Sequence, residues 1–303
     1  MGESNVSFKG DILMVLVAIF AAFGWLFSQQ ALQSFTPFWF LALRFSSAGI
    51  IISVLGWRTL SQLTRHQWWV CLRLGFLMGI ALLLWITGLS FSKHLGESAF
   101  IASLAVIYVP IIGRIIYSTK ITRSLLAPLI LAILGLMTLM LKNGFILEKS
   151  QAYILVAALI FATHFVITAN VVRTMPALAI TATQMSCVGL VALVMALVTE
   201  PMLDTSVGII AWQWMIWSIL IASLFRFAIQ TYAMKLTSAN NAGMILVLEP
   251  VFTVIIATWY LGESLSVNQW AGCGLIFCAI IVYQYLRYKE TRLVEVVSNP
   301  NPS

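Results

Sequence analysis

The chain has 303 residues, of which 61% are hydrophobic and 9% are charged, and its mean hydropathy is +0.99. Because an ordinary soluble domain has about 25% charged residues, this composition excludes a soluble globular protein. The net charge of +7 comes from 17 Lys and Arg against 10 Asp and Glu. In a membrane protein these basic residues first mark topology, so we expect no nucleic-acid partner.

Ten apolar stretches, separated by charges, prolines and glycines, run along the chain. Each has about the 20 residues that a helix needs to cross a bilayer, whereas barrel strands are shorter and alternate. The composition therefore predicts an all-α polytopic membrane protein with ten transmembrane helices. The predicted spans are 12–32, 37–56, 70–91, 96–117, 124–141, 151–172, 177–199, 212–234, 240–261 and 267–288.

Basic residues collect in alternate loops between these spans. With the amino terminus inside, ten of them fall on the inner side and three on the outer side. Because cytoplasmic loops are rich in Lys and Arg, this predicts a multi-pass protein of the plasma (inner) membrane with both termini in the cytoplasm. The inner set is Lys9, Arg58, Arg65, Lys120, Arg123, Arg173, Lys235, Arg287, Lys289 and Arg292, and the outer set is Lys93, Lys142 and Lys149.

The two halves of the chain repeat. Five landmarks recur at an offset of 139 or 140 residues, namely Pro37/Pro176, Arg44/Gln184, Gly49/Gly189, Pro110/Pro250 and Gly135/Gly274. Five crossings per copy is an odd number, so the second copy enters the membrane from the opposite side. This predicts two inverted five-helix repeats, 1–145 and 146–288, followed by a short cytoplasmic tail, 289–303. Inverted repeats around a site at the membrane midplane are typical of alternating-access transporters.

The landmark regions also resemble a known family. The runs LEPVF at 248–252, LGES at 261–264 and WAG at 270–272 resemble the carboxy-terminal signature of EamA-type members of the drug/metabolite transporter superfamily. Earlier stretches, such as PFW at 37–39, AFI at 99–101 and AMKLTSA at 233–239, resemble the same module. The resemblance covers nearly the whole chain and implies a five-plus-five inverted repeat that carries small metabolites, commonly outward.

The chain departs from that pattern at two places. Phe23 precedes Gly24 where the family usually has Trp, and Arg226 stands where a small or apolar residue is expected. A guanidinium at the bilayer centre costs at least about 2.5 kcal/mol, so Arg226 needs a partner or water. Ser223 and Gln230 lie on the same stripe of the helix. The functional interpretation is a carboxylate clamp, and the structural one is a pair with Glu249 that is closed to substrate.

Glu249 precedes Pro250, which leaves the carbonyl of Leu246 without its helical donor. Glu249 is a candidate to receive a substrate ammonium, to couple transport to protons, or to form a salt bridge with Arg226 or Arg44. Pro110 frees the carbonyl of Val106 in the same way, so we predict helix breaks at both prolines.

The other candidates are polar and aromatic side chains inside the spans. Arg44 matches an Arg of the family and either orients the repeat interface or contacts substrate. His164 is a candidate for substrate binding and for proton coupling, with hydrogen-bonded packing as the alternative. Arg73 and Arg114 are expected to extend to the lipid phosphates. The remaining predicted substrate-binding residues are Gln30, Asn170, Gln230, Trp25, Trp85, Tyr108 and Tyr232.

The chain lacks the familiar enzyme motifs, and its four cysteines lack zinc-site spacing, so we expect no enzyme activity, metal or cofactor. The sequence favours an alternating-access exporter of amino-acid-like or carboxylate-bearing solutes. An organic-cation or drug efflux transporter is the first alternative, and a non-transport membrane scaffold or scramblase is the second. The expected partners are a small-molecule substrate and the lipid bilayer, with the protein as a monomer or a homodimer.

Overall fold

The computed structural model of the protein describes residues 2–92, 101–119, 123–140, 149–261 and 266–298. Every regular element in these ranges is helical. Eight helical stretches in them are long and apolar enough to cross a membrane. Two shorter apolar helices, Ile101–Tyr117 and Ser124–Thr138, occupy the positions of the fourth and fifth predicted spans. The chain is therefore an all-helical, multi-pass membrane protein.

The helices of the first half follow the predicted spans in order. They are α1 (Gly2–Ala31), α2 (Pro37–Leu55), α3 (Trp57–Ser61), α4 (Arg65–Ser90), α5 (Ala105–Tyr117) and α6 (Arg123–Met140). Pro37 suits the first position of α2 because it lacks the N–H that a helix start leaves unpaired. Thr64 and Gln67 form a capping box at the start of α4, each side chain accepting from the other's backbone N–H.

In the second half, the regular α-helix is interrupted in two places. A π-helical turn, Leu220–Phe225, joins two α-helices into one stretch, and a further stretch is broken at Val247. The helices are α7 (Lys149–Val171), α8 (Ala177–Thr199), α9 (Ile209–Ile219), α10 (Arg226–Leu236), α11 (Ala239–Leu246), α12 (Leu248–Leu261) and α13 (Val267–Ser298).

Most predicted boundaries lie within a few residues of the observed ones, and α8 coincides with the span 177–199. The largest differences are at two ends. α1 begins at Gly2 and α13 continues to Ser298, well outside the apolar spans. Neither extension contains a proline. Once a helix is nucleated, each added residue gains a hydrogen bond at little cost, so the helix continues beyond its apolar part.

The two halves meet where α2 crosses α8. A methyl group on Gly49 would lie 2.7 Å from the Ser186 backbone nitrogen, and one on Gly189 would lie 2.5 Å from that of Ser46. Each glycine therefore admits the backbone of the other helix, as small residues do at close helix crossings. The two contacts are related by the 140-residue offset, so the crossing lies on the pseudo-symmetry axis of the repeat.

Further glycines bring other helices of the two halves together. A methyl on Gly75 of α4 would lie 2.6 Å from the Cys187 side chain of α8, so this glycine also permits a close approach of the two helices. A methyl on Gly135 of α6 would lie 3.0 Å from the Gly272 carbonyl oxygen of α13. α6 and α13 thus pack on each other within one chain.

Polar clusters tie the helices at both ends of the bundle. At one end, Glu200 accepts hydrogen bonds from the Thr36 hydroxyl and from the backbone N–H groups of Phe38 and Trp39, at 2.6, 2.8 and 3.0 Å. At the other end, Asp11 of α1 accepts from Arg287 of α13 at 3.1 Å. Thr237 and Asn241 donate to the same carboxylate, and Gln284 donates to Asn241.

Some sequence predictions fall outside the described residues. These are the topology markers Lys93, Lys120 and Lys142, the motif residues Ala99 and Phe100, and the run 262–264.

Candidate functional site

A cavity of about 180 Å³ lies between helices of both halves. Its lining residues come from the middles of α1, α4 and α7 and from the centre of the α9–α10 stretch, which places it about halfway across the bundle. Most of the lining is apolar or aromatic. The charged side chains among the described lining residues are Arg44, Arg226 and Glu249, and they are accompanied by the polar side chains of His164 and Gln230.

Glu249 reaches the cavity from the first turn of α12, directly after the break at Val247. Its position at a helix start is favourable for a negative charge. One carboxylate oxygen accepts from the Trp25 indole N–H of α1 at 2.8 Å. The Trp25 ring meets the Trp85 ring edge to face, with centroids 5.1 Å apart. Glu249 is therefore held at the cavity wall, between an indole donor and the cavity.

Arg226 begins α10 immediately after the π-helical turn. Its Nη2 atom lies 3.7 Å from the second oxygen of Glu249, which is an ion pair but too long for a hydrogen bond. Its Nε atom is buried and has no partner in the described structure. The guanidinium carbon lies 4.7 Å from the centroid of the Phe227 ring, within cation–π range. Arg226 is thus loosely paired and keeps donor capacity.

Arg44 is more completely bound than Arg226. Its side chain donates to the Ser223 hydroxyl at 2.5 Å, to the Ser28 hydroxyl at 3.1 Å and to the Ala222 carbonyl at 2.9 Å. Ser223 and Ala222 belong to the π-helical turn, where the altered hydrogen-bond register leaves a carbonyl available to a side chain. Arg44 is 3% exposed. It therefore joins α2 of the first half to the helix that carries Arg226.

Two aromatic rings lie between the guanidinium groups. The Arg44 guanidinium carbon is 5.2 Å from the Phe45 ring centroid, and Phe45 lies against Phe227 with centroids 5.8 Å apart. Phe227 in turn lies under Arg226. The negative faces of aromatic rings attract cations, so this arrangement offsets part of the repulsion between the two like charges.

His164 of α7 is buried and takes part in a neutral cluster on another wall of the cavity. The Thr168 hydroxyl lies 3.2 Å from His164 Nε2, and the Gln184 amide of α8 donates to Thr168 at 3.3 Å. These contacts fit the packing interpretation of His164. Because His164 also lines the cavity, its side chain remains within reach of a bound solute.

The model of the EamA-like transporter family matches this sequence over residues 8–141 and again over residues 149–284. The chain belongs to the EamA-like transporter family. It is accordingly a membrane transporter of small solutes, and the resemblance inferred from the 248–252 and 37–45 regions is confirmed. The family consists of transporters and not enzymes.

A solved crystal structure, described only as that of a protein, superposes on this member of the family with a TM-score of 0.78. The two share 15% sequence identity, and the match covers 93% of this chain and 98% of the other. At this identity the likeness shows the fold alone. No curated protein matches the chain significantly.

The structure brings seven of the predicted substrate-binding residues to one cavity and leaves four outside its lining. Tyr232 is 43% exposed because it lies two residues after Gln230 and points away from the bundle. Asn170 is also exposed, near the end of α7. Gln30 and Tyr108 are half-buried. The seven lining residues are Arg226, Glu249, Trp85, Arg44, Gln230, His164 and Trp25.

The two prolines differ in where the helix is interrupted. Near Pro250 the interruption is at Val247, close to the predicted break. Near Pro110 it is at Leu104, and α5 continues through the proline. Pro110 lacks the N–H that would bond to the Val106 carbonyl, and the regular α-helix is interrupted about one and a half turns earlier, by a tighter turn at Leu104. There the Ile107 N–H bonds to the Leu104 carbonyl.

Sequence reasoning missed Ser28 and the π-helical turn. Ser28 precedes Arg44 by 16 residues, as Thr168 precedes Gln184, so the repeat itself contained the signal for this pair. The π-helical turn has no such signal, because the run LIASLF is compatible with an ordinary α-helix. In the described part of the chain, no three His, Cys, Asp or Glu side chains group as metal ligands.

Proposed function

We propose that the protein is a ten-helix alternating-access transporter of the inner membrane with both termini in the cytoplasm, and that it exports amino-acid-like or carboxylate-bearing solutes. The observation that carries this proposal is the loosely paired Arg226, which lines a mid-membrane cavity between both halves and has a buried Nε without a partner in the described structure. An Arg side chain offers a planar donor fork that suits a carboxylate.

In this proposal Arg226 takes the carboxylate, and Glu249 lies close enough to receive an ammonium group when the solute has one. Trp25 and Trp85 form the apolar wall. The lack of a hydrogen bond between Arg226 and Glu249 supports this arrangement, because a solute then displaces only a loose ion pair. A closed, fully hydrogen-bonded pair would compete with any solute.

The inverted repeat supports alternating access. The α2–α8 crossing at Gly49 and Gly189 is a close contact with the same form in both halves, about which one bundle can rock against the other. Proton coupling through Glu249 or His164 is part of the proposal, since both line the cavity. Coupling requires that Glu249→Gln or His164→Gln removes the response of flux to an imposed pH gradient.

The decisive experiment is efflux from proteoliposomes that contain the purified protein and a panel of amino acids, organic acids and organic cations. We expect uptake or efflux of at least one carboxylate-bearing solute, with loss of that flux in Arg226→Gln. The matched control is Tyr232→Phe, which alters an exposed residue on the same helix and is expected to leave the flux unchanged.

Movement of organic cations alone would replace this proposal with a Glu249-centred efflux transporter. If no solute of the panel moves while labelled lipids cross the bilayer at the same rate in wild type and Arg226→Gln, the scramblase alternative replaces it. Thermal melting of each variant before reconstitution distinguishes lost transport from lost folding.

A further inference from the structure

Among the described residues that line the cavity, the charges do not cancel. Among the described lining residues, Arg44 and Arg226 are positive and Glu249 is negative, which leaves one positive charge in excess. Protonation of His164 would only add to that excess. A net charge inside an apolar, mid-membrane cavity is costly unless a counter-charge approaches it.

The excess is not neutralised by the partners of Arg44. Its hydrogen bonds go to the hydroxyls of Ser28 and Ser223 and to the Ala222 carbonyl, all of which are uncharged. Glu249 lies beside Arg226, and its other oxygen accepts from the neutral indole of Trp25. Among the described lining residues, one carboxylate is therefore present for two guanidinium groups.

Two polar atoms next to this excess charge have no partner. Arg226 Nε is a buried donor, and Gln230 Oε1, one helical turn further along α10, is a buried acceptor. Gln230 is 8% exposed and lines the cavity. Buried polar groups in folded proteins are nearly always hydrogen-bonded, so this pair fits a ligand that offers an acceptor and a donor.

We infer that the solute carried is an organic monoanion, such as a small hydroxy acid, and neither a zwitterion nor a cation. This inference rests on the proposed function and selects its carboxylate-bearing solutes over its amino-acid-like, zwitterionic ones. A monoanion balances the excess charge of the cavity, whereas a zwitterion leaves it unchanged and a cation doubles it. The carboxylate accepts from Arg226, and a hydroxyl donates to Gln230.

The test uses four ligands with one aromatic skeleton and different charges: mandelate, its neutral amide mandelamide, the zwitterion phenylglycine, and the cation of phenylethanolamine. Their binding to the full-length protein in detergent is measured by thermal stabilisation, because a ligand that binds the folded state raises the melting temperature. We expect mandelate to bind at least about tenfold more tightly than each of the other three.

Charge variants then test whether the preference follows the cavity. Arg226→Gln removes the excess charge and is expected to abolish the advantage of mandelate over mandelamide. Glu249→Gln keeps an acceptor for Trp25 and adds to the excess, so the dianion phenylmalonate is expected to gain at least about tenfold relative to mandelate. Arg226→Met serves as a second neutral variant if Arg226→Gln melts too early to assay.

A wild-type preference for phenylglycine or phenylethanolamine, an unchanged mandelate preference in both Arg226 variants, or no binding of any of the four overturns the inference. The first of these outcomes leaves the transporter assignment intact, because a cavity ligand has then been found. The transporter assignment itself fails only when the broader efflux panel shows no flux.

Discussion

Two equivalent places in the repeat make the same hydrogen bond with different chemistry. In the first half Arg44 of α2 donates to Ser28 of α1, and in the second half Gln184 of α8 donates to Thr168 of α7. Both pairs span 16 residues, and the second lies 140 residues after the first. The repeat has thus preserved a contact between its first two helices while one copy has a cation and the other a neutral amide.

The difference becomes clear one contact further. Arg44 also donates hydrogen bonds to Ser223 and Ala222 in the π-helical turn, whereas Thr168 also contacts His164. The positions in the first half that correspond to Ala222 and Ser223 are Leu82 and Leu83, which offer no hydroxyl. The two halves therefore share this contact between helices, but the charged side chain at this position, Arg44, is present in the first half alone. A cavity between unequal halves can hold a polar solute in one orientation.

The largest expected effect comes from breaking the charged cluster. Arg44→Ala removes three hydrogen bonds from a buried cation and leaves the hydroxyls of Ser28 and Ser223 without this donor, so we expect a loss of about 3 kcal/mol of stability. Thermal melting in detergent measures it. Arg73→Ala, at an exposed arginine, is the control and is expected to change stability by less than about 0.5 kcal/mol. Equal melting of the two variants would show that the Arg44 cluster contributes little.

The second prediction tests the close α2–α8 crossing, to which both halves contribute a glycine. Gly49→Ala and Gly189→Ala each put a methyl group against the backbone of the facing helix, so each is expected to cost about 1–3 kcal/mol. Because the contacts are reciprocal, the two losses should be similar. Gly274→Ala is the control, since a methyl there meets nothing within 4 Å. Its expected change runs from zero to a gain of about 1 kcal/mol from helix propensity. A tolerated Gly49→Ala would contradict the crossing geometry.

A smaller loss of stability is expected when the neutral cluster of His164, Thr168 and Gln184 is disrupted. Gln184→Leu removes one hydrogen bond and keeps a similar volume, and Thr168 retains its contact with His164, so the loss should be about 1 kcal/mol. The comparison with Arg44→Ala in the same melting assay gives the difference between the two halves directly. A loss as large as that of Arg44→Ala would mean that charge is not what distinguishes them.

An effect of similar size is expected at the end of the bundle where Glu200 of the second half caps α2. Glu200 caps the start of α2, while its counterpart in the first half is Leu60. Glu200→Gln retains one acceptor oxygen and loses the charge, so we expect a loss of about 1 kcal/mol in melting experiments. Asp204→Asn, in the same loop, is expected to leave melting unchanged because the hydrogen bonds of Asp204 in the described part of the chain go to nearby Ser206. If both variants behave alike, Glu200 does not stabilise the α2 start.

The spans and the repeat were predictable because they depend on properties that residues carry individually. A run of about 20 apolar residues has no stable place in water, and a helix is the structure that satisfies its backbone in lipid. The landmarks Gly49 and Gly189 also appear in sequence as a regular offset. The expectation that Arg226 needs a partner inside the bundle followed from the cost of burying a charge. That cost does not depend on where the partners lie in the sequence.

The cavity membership of Gln30, Tyr108, Asn170 and Tyr232 could not be predicted in the same way. Polar character inside a span predicts an interior position, but a helix in a bundle has several faces, and only packing decides which one meets the cavity. Tyr232 shows this, since it follows Gln230 by two residues and lies 43% exposed while Gln230 is buried.

By itself the sequence determined the membrane-spanning helices, the two repeats and the charged residues that must lie inside the bundle, because hydrophobicity and charge act locally. The tertiary structure alone decided that Arg44 is saturated with neutral partners while Arg226 keeps a free donor. Hydrogen bonds require atoms within about 3 Å, and such distances between distant segments are set by how the helices cross. The net charge available to a solute follows from that packing.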